Sequence, residues 1–117
     1  MTFEEFYTLC ITKKGTEAFF PFDQKTIVFK VGGKIFCLAD TEDFTSINLK
    51  CDPEKAIDYR ERFSGVIPGY HMNKKHWNTV SLFGDVDDVL LKRMIDESYN
   101  LIFNSLSKKV QHEIEMG

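Results

Sequence analysis

The chain has 117 residues, a length that predicts a single domain, 1–117, able to bury a core of its own. Its composition, 43% hydrophobic and 28% charged, is that of a globular protein, and the formal net charge of −3 argues against coating of nucleic acid by charge alone. The chain shows no secretory signal and no long apolar run, so we expect a cytoplasmic protein that does not enter a membrane.

The three cysteines, Cys10, Cys37 and Cys51, are widely separated and form no CxxC pair. This spacing excludes a zinc knuckle and a thioredoxin-type redox pair. An odd number of separated cysteines favours a reduced environment without disulfides. All three fall at apolar-periodic positions, so we interpret them as buried small side chains rather than nucleophiles.

The first predicted element is a helix. Thr2 and Glu5 have the spacing of a capping box, in which two side chains satisfy backbone N–H groups of the first turn. Apolar residues then recur at helical spacing as far as Cys10. Gly15 supplies the left-handed position that commonly follows a helix end.

The segment "TIVFKVGGKIFCLAD" predicts a β-hairpin. Gly32 and Gly33 allow the positive φ angles of a two-residue turn between two β-rich runs. That turn pairs Phe29 with Phe36 across the hairpin. Apolar residues fall on both faces of these strands, so we expect helices to cover one face and part of the other.

The segment "FTSINLKC" alternates cleanly between apolar and polar residues. It predicts a strand with Ser46, Asn48 and Lys50 on its solvent face. Asp52 and Pro53 then have the pattern of an N-cap followed by proline in the first helical position, so a second helix is expected to begin there.

The last third of the chain predicts a strand, "NTVSLF", a long helix and a short helix that begins near Ser107. Asp85, Asp87 and Asp88 mark the start of the long helix, where acids complement the helix dipole. The element order therefore predicts an α+β fold in two layers, with a largely antiparallel sheet of four to five strands packed against three or four helices.

The most unusual segment is "PGYHMNKKHWNTV", which holds two of the three histidines and the only tryptophan. No acidic residue occurs between Glu61 and Asp85, and Arg62, Lys74 and Lys75 give this window a charge of +3, which leaves −6 on the rest of the chain. The sequence therefore predicts one cationic surface on an acidic protein.

Cations beside aromatic and amide side chains suit a planar anionic ligand such as a nucleotide or a nucleic-acid strand. The predicted contact residues are His71, Asn73, Lys74, Lys75, His76, Trp77 and Asn78. The alternative interpretation is structural: the tryptophan closes one end of the sheet, and the histidines hydrogen-bond to loop backbone.

Metal binding and catalysis have weaker support in the sequence. His71 and His76 are five residues apart, which does not place them on one helix face, and a third ligand is not evident unless Cys51 lies nearby. No serine or cysteine lies in a nucleophile elbow. A general-base role for either histidine remains a competing interpretation, and we expect no enzyme activity, no metal site and no cofactor.

The same stretch, followed by a strand, a glycine and a long helix, closely resembles the hallmark of the MmcQ/YjbR family. The resemblance covers essentially the whole chain. It implies a compact α+β domain similar to the frataxin-like architecture, and a bacterial DNA-binding protein with a double-wing motif. The motif residues are His71, Asn73, Lys74, His76, Trp77 and Asn78. Iron chemistry is not expected, because only Glu4 and Glu5 are adjacent in the first helix.

We therefore expect a DNA-binding protein in which Lys74 and Lys75 neutralise phosphates. Two alternatives stay open: a module that binds a small anion or nucleotide, and a module that binds another protein. The sequence does not determine the oligomeric state.

Overall fold

The structure, a computed structural model, describes residues 1–70 and 72–117. The elements in chain order are α1 (Phe3–Ile11), β1 (Thr16–Phe19), β2 (Thr26–Val31), β3 (Lys34–Asp40), β4 (Ser46–Lys50), α2 (Pro53–Arg62), β5 (Val66–Pro68), β6 (Trp77–Ser81), α3 (Asp88–Ser105) and α4 (Lys108–Met116).

In the described part of the chain the strands form one six-stranded sheet in the order β1-β2-β3-β4-β6-β5. Every neighbouring pair is antiparallel. This confirms the predicted α+β fold. The additional strand is β5, which has only three residues and is too short to show a period in the sequence.

The hairpin β2–β3 turns at Gly32 and Gly33, both with positive φ as predicted. The predicted pairing of Phe29 with Phe36 is wrong: Phe29 lies opposite Cys37. A β-bulge separates this pair from the next one, because β3 uses one residue more than β2 at this point. Phe36 is that extra residue, so the register shifts by one while its side chain stays buried.

Helix starts follow the sequence closely, with one exception. Thr2 forms the predicted capping box with Glu5, and Asp52 caps α2. The N-cap of α3 is Asp87, whose side chain accepts a hydrogen bond from the backbone N–H of the third residue after it. Asp85, which the sequence assigned to this helix start, instead binds backbone groups ahead of β5.

The first three helices pack on the same face of the sheet. The ring centroid of Phe6 in α1 lies 5.5 Å from that of Phe29 in β2. Ser98 in α3 donates a hydrogen bond to the carbonyl of Phe36, and the remaining helix, α2, lies against β5 and β6. The largest fully buried side chains include Phe6, Phe29, Phe36, Ile47, Leu91, Ile95 and Ile102.

Among the described residues, no helix combines the length and the apolar character that crossing a bilayer requires.

Candidate nucleic-acid interface

The lysine-bearing segment connects β5 to β6 at the sheet edge opposite β1. We term residues 69–76 the basic loop; His71 lies outside the described residues. The Gly69 N–H donates to the Trp77 carbonyl at 2.8 Å and closes the base of the loop. The carbonyl of Asn73 accepts from the Trp77 N–H at 3.0 Å, and its side-chain oxygen accepts from the Lys75 N–H at 3.0 Å. These bonds form a tight turn that carries both lysines.

Lys74 and Lys75 are both exposed. The Lys74 ammonium group donates to the Gly69 carbonyl at 3.3 Å, and the Lys74 carbonyl accepts from the Arg60 guanidinium at 3.2 Å. Within residues 1–70 and 72–117, neither lysine forms an ion pair with a carboxylate. Their positive charges are therefore available to an external anion.

Arg62, the third cation of the acid-free window, is paired within the protein. Its guanidinium lies 3.3 Å from the carboxylate of Asp58 on the same helix. At the other end of the window, the Asp85 carboxylate accepts from the backbone N–H groups of Gly65 and Ser64 at 2.8 and 2.9 Å, and these bonds lower the pKa of Asp85. Within the acid-free window, the unpaired positive charge is therefore carried by Lys74 and Lys75 and not by Arg62.

The structure corrects the predicted roles of Trp77 and Asn78. Trp77 is 9% exposed and lies against the base of the basic loop, where a Cβ on Gly69 would fall 2.7 Å from the Cβ of Trp77. Asn78 is 3% exposed, and its amide donates to the Ala56 carbonyl in α2 at 3.2 Å. Neither side chain is free to contact a ligand, because Trp77 packs against the basic loop and Asn78 links β6 to α2.

The other polar residues of the motif have mixed environments. Asn73 is exposed, but its side-chain oxygen already accepts the turn hydrogen bond described above. His76 is half-buried, and its carbonyl accepts from the Cys51 N–H at 2.8 Å, which ties the loop to the end of β4. Direct ligand contact by His71, Asn73 and His76 stays a prediction.

Beside the basic loop lies the sheet face that α1, α2 and α3 leave uncovered. The register places Leu38 opposite Asn48, and Asn48 opposite Thr79, in one row across β3, β4 and β6. With Tyr70 and Met72 of the basic loop, this row lines a cleft of about 530 Å³, here termed the sheet cleft.

Of the residues that line this cleft, the sequence identified Ser46 and Asn48 as solvent-facing. Leu38 and Thr79 were missed because their proximity depends on the pairing of β4 with β6, two strands that a helix and β5 separate in the chain.

The polar centre of the sheet cleft is ordered by hydrogen bonds. The Tyr70 N–H donates to the hydroxyl oxygen of Thr79 at 3.0 Å. The Thr79 hydroxyl donates to the Asn48 side-chain oxygen at 2.6 Å. These bonds link the basic loop to the middle of the sheet and fix the orientation of the Asn48 amide.

No group of three or more histidine, cysteine, aspartate or glutamate side chains lies close enough to hold a metal ion within the described residues. Cys10 and Cys37 are buried, as predicted, and burial raises the pKa of Cys37. Cys51 is half-buried, and partial burial raises the pKa of its thiol to about 11. Cys51 is therefore protonated at neutral pH, which makes it a weak nucleophile.

Comparison with known proteins shows similarity over nearly the full length of the chain. A family model described as YjbR matches residues 11–101. Uncharacterized protein YbdF of Escherichia coli O157:H7 is 39% identical over 102 residues, covering 86% of this chain and 84% of that protein. Uncharacterized protein YjbR of Escherichia coli strain K12 is 34% identical over 110 residues, covering 93% of each chain. The crystal structure of a Deinococcus radiodurans protein with a DUF419 domain superposes with a TM-score of 0.91 at 35% identity, covering 97% of this chain and 88% of that chain.

Proposed function

The chain belongs to the YjbR family, and from that premise we propose that it is a DNA-binding protein that contacts phosphates through Lys74 and Lys75. One observation carries the proposal. The two lysines are exposed and have no carboxylate partner in the described part of the chain, although the protein as a whole has a net charge of −3. Lysines without a carboxylate partner can bind DNA phosphates without first breaking an ion pair, and their binding releases counterions condensed on the DNA, which favours association.

The surroundings of the basic loop favour an extended ligand over an isolated anion. The uncovered sheet face continues from the basic loop across β6, β4 and β3. A DNA strand whose phosphates bind Lys74 and Lys75 can therefore extend along this face. Asp40, at the far end of the sheet cleft, repels phosphates and confines their binding to the loop end. The His71–Asn78 stretch resembles the hallmark of a family described as having a double-wing DNA-binding motif, and this resemblance agrees with DNA binding at the basic loop.

The proposal predicts weak, salt-dependent binding. Two phosphate contacts give a slope of log K against log salt of about −1.8, so affinity for a duplex falls about 12-fold between 50 and 200 mM salt. Fluorescence anisotropy with a labelled 20-base-pair duplex measures this slope. The double substitution Lys74→Ala/Lys75→Ala is expected to bring it close to zero and to abolish measurable binding at 200 mM salt.

Lys108 and Lys109 provide a matched control. They are an exposed adjacent pair on α4, and α4 packs beside Gly15 at the β1 end of the sheet, far from the basic loop. Lys108→Ala/Lys109→Ala removes the same charge and is expected to leave the slope unchanged. Equal loss in both double variants would show that the total charge, rather than the basic loop, drives binding, and would refute the proposal.

We propose that this binding is not accompanied by catalysis. The protonated thiol of Cys51 and the burial of Cys10 and Cys37 support this, since none of these thiols is prepared for nucleophilic attack. The competing general-base role of His76 is tested by His76→Ala in the same binding assay and in assays of nuclease activity.

Saturable thermal stabilisation by tripolyphosphate without any response to duplex DNA would instead favour a small-anion site.

A further inference from the structure

The sheet cleft has the size and composition of a small-ligand site. Its volume of about 530 Å³ falls within the usual range of such sites, about 300–1,000 Å³. Apolar side chains supply most of its walls: Ile35 and Leu38 from β3, Met72 from the basic loop and Phe22 from the β1–β2 connection. Three separate segments of the chain thus supply apolar groups to one concave surface.

The polar groups of the cleft are few and oriented. The separation of 2.6 Å between the Thr79 hydroxyl and Asn48 suits an O–H···O bond, which places the amide oxygen of Asn48 on Thr79. The Asn48 NH₂ group has no hydrogen-bond partner among the described residues, so it is available to donate to a ligand.

Asp40 supplies the complementary acceptor. One oxygen of its carboxylate accepts from the backbone N–H groups of Glu42 and Asp43, each at 2.8 Å. Its second oxygen has no partner among the residues that the structure describes. The cleft therefore offers a donor on Asn48 and a charged acceptor on Asp40, between apolar walls.

We infer that the sheet cleft binds a nucleobase. The ligand must present apolar surface to the walls, must accept a hydrogen bond from Asn48 and donate one to Asp40, and must carry no negative charge near Asp40. A nucleobase meets all four conditions, since its edge presents donors and acceptors side by side and asparagine and aspartate are common partners of those edges.

Two sources of a nucleobase are distinguishable: a free nucleoside and an unpaired base of a DNA strand. The basic loop forms one wall of the cleft and also carries Lys74 and Lys75, so a strand can place a base in the cleft and a phosphate at the lysines. Base binding is argued from the cleft alone, whereas its extension to single-stranded DNA rests on the proposed function.

Titration of the ¹⁵N-labelled protein with adenosine, guanosine, cytidine and thymidine tests base binding. At least one of these uncharged nucleosides is expected to shift the Asn48 side-chain amide and the Tyr70 backbone amide saturably, with a Kd on the order of 0.1–1 mM. Failure of all four to shift these signals up to 10 mM overturns the inference.

Asn48→Asp removes the donor and keeps the oxygen that accepts from Thr79, so the fold is retained and nucleoside binding is expected to weaken at least 10-fold. Asn100→Asp, exposed on α3, makes the same charge change away from the sheet cleft and should bind normally. Leu38→Lys, which fills the cleft floor with a longer side chain, is a second variant expected to lose binding. Undiminished nucleoside binding in both cleft variants refutes the assignment.

A thymidine-rich dodecanucleotide separates the two sources. Binding at least 10-fold tighter than that of the nucleosides, with the gain lost in Lys74→Ala/Lys75→Ala, assigns the base to single-stranded DNA. Affinity equal to that of the nucleosides assigns the cleft to the free nucleoside. Saturable nucleoside binding, with no duplex binding and no gain in affinity for the dodecanucleotide, would refute the proposed function and leave the base site standing.

Discussion

The hydroxyl of Ser98 is expected to be one of the most sensitive single groups in the core. Ser98 is fully buried on α3, donates to the carbonyl of Phe36 and accepts from the Lys50 N–H at 2.9 Å. Phe36 is the extra residue of the β3 bulge, so the helix supplies a hydrogen bond to backbone at the point where the strand ladder is interrupted. The same hydroxyl holds the end of β4, from which the chain passes into α2.

Ser98→Ala removes two hydrogen bonds and leaves both backbone partners without a replacement. A buried partner left unsatisfied costs about 1–3 kcal/mol. Because the Lys50 N–H is only partly buried and costs less, we expect a loss of about 2–4 kcal/mol in the free energy of unfolding. With a urea m-value of about 2 kcal/mol/M, the midpoint of urea unfolding should fall by about 1–2 M with an unchanged slope.

Ser105→Ala is the control, because the Ser105 hydroxyl is exposed at the end of the same helix and water can replace its bond to the Ile102 carbonyl. We expect it to change the free energy of unfolding by less than about 0.5 kcal/mol. If Ser98→Ala proves as mild as Ser105→Ala, the hydroxyl does not stabilise the bulge and the reasoning is refuted.

Two further substitutions test the ends of the β5–β6 region. Gly69→Ala places a methyl group 2.7 Å from the Cβ of Trp77, so thermal unfolding followed by the fluorescence of this single tryptophan should show a loss of about 1–3 kcal/mol; an unchanged melting temperature would contradict the close packing. Hydrogen bonds from Gly65 and Ser64 lower the folded-state pKa of Asp85, so its contribution to stability is present above the unfolded value near 4 and is lost as pH falls through the folded value. Asp85→Asn should therefore be less stable than the parent at pH 7, and the difference should shrink as pH falls below about 4; a difference that is the same at pH 7 and pH 2 would contradict this origin.

Local sequence patterns were sufficient for the helix starts. Thr2 and Asp52 act as caps where predicted, because capping depends on residues within three positions of each other. Asp85 shows the limit of such patterns. The sequence pattern does not distinguish Asp85 from Asp87 and Asp88, which lie near the same helix start. Asp85 binds the Ser64 and Gly65 backbone ahead of β5 only because the fold brings that segment close to it.

The candidate site divides in the same way. The exposed lysine pair was visible as an acid-free window, and exposure of Lys74 and Lys75 agrees with it. Burial of Trp77 agrees with the structural alternative that the sequence left open, and the sequence did not decide between the two because burial depends on the close approach of Gly69 across the loop. A tryptophan beside lysines has the same sequence pattern whether its ring is covered or free.

Local sequence patterns were sufficient for the types of element, for most helix starts and for the acid-free window that carries Lys74 and Lys75, since each depends on residues that are neighbours along the chain. The tertiary structure alone decided the hairpin bulge, the short strand β5 and the sheet cleft. These features arise from pairing between distant segments, in which backbone hydrogen bonds and packing select one register among several that the same alternation of side chains permits.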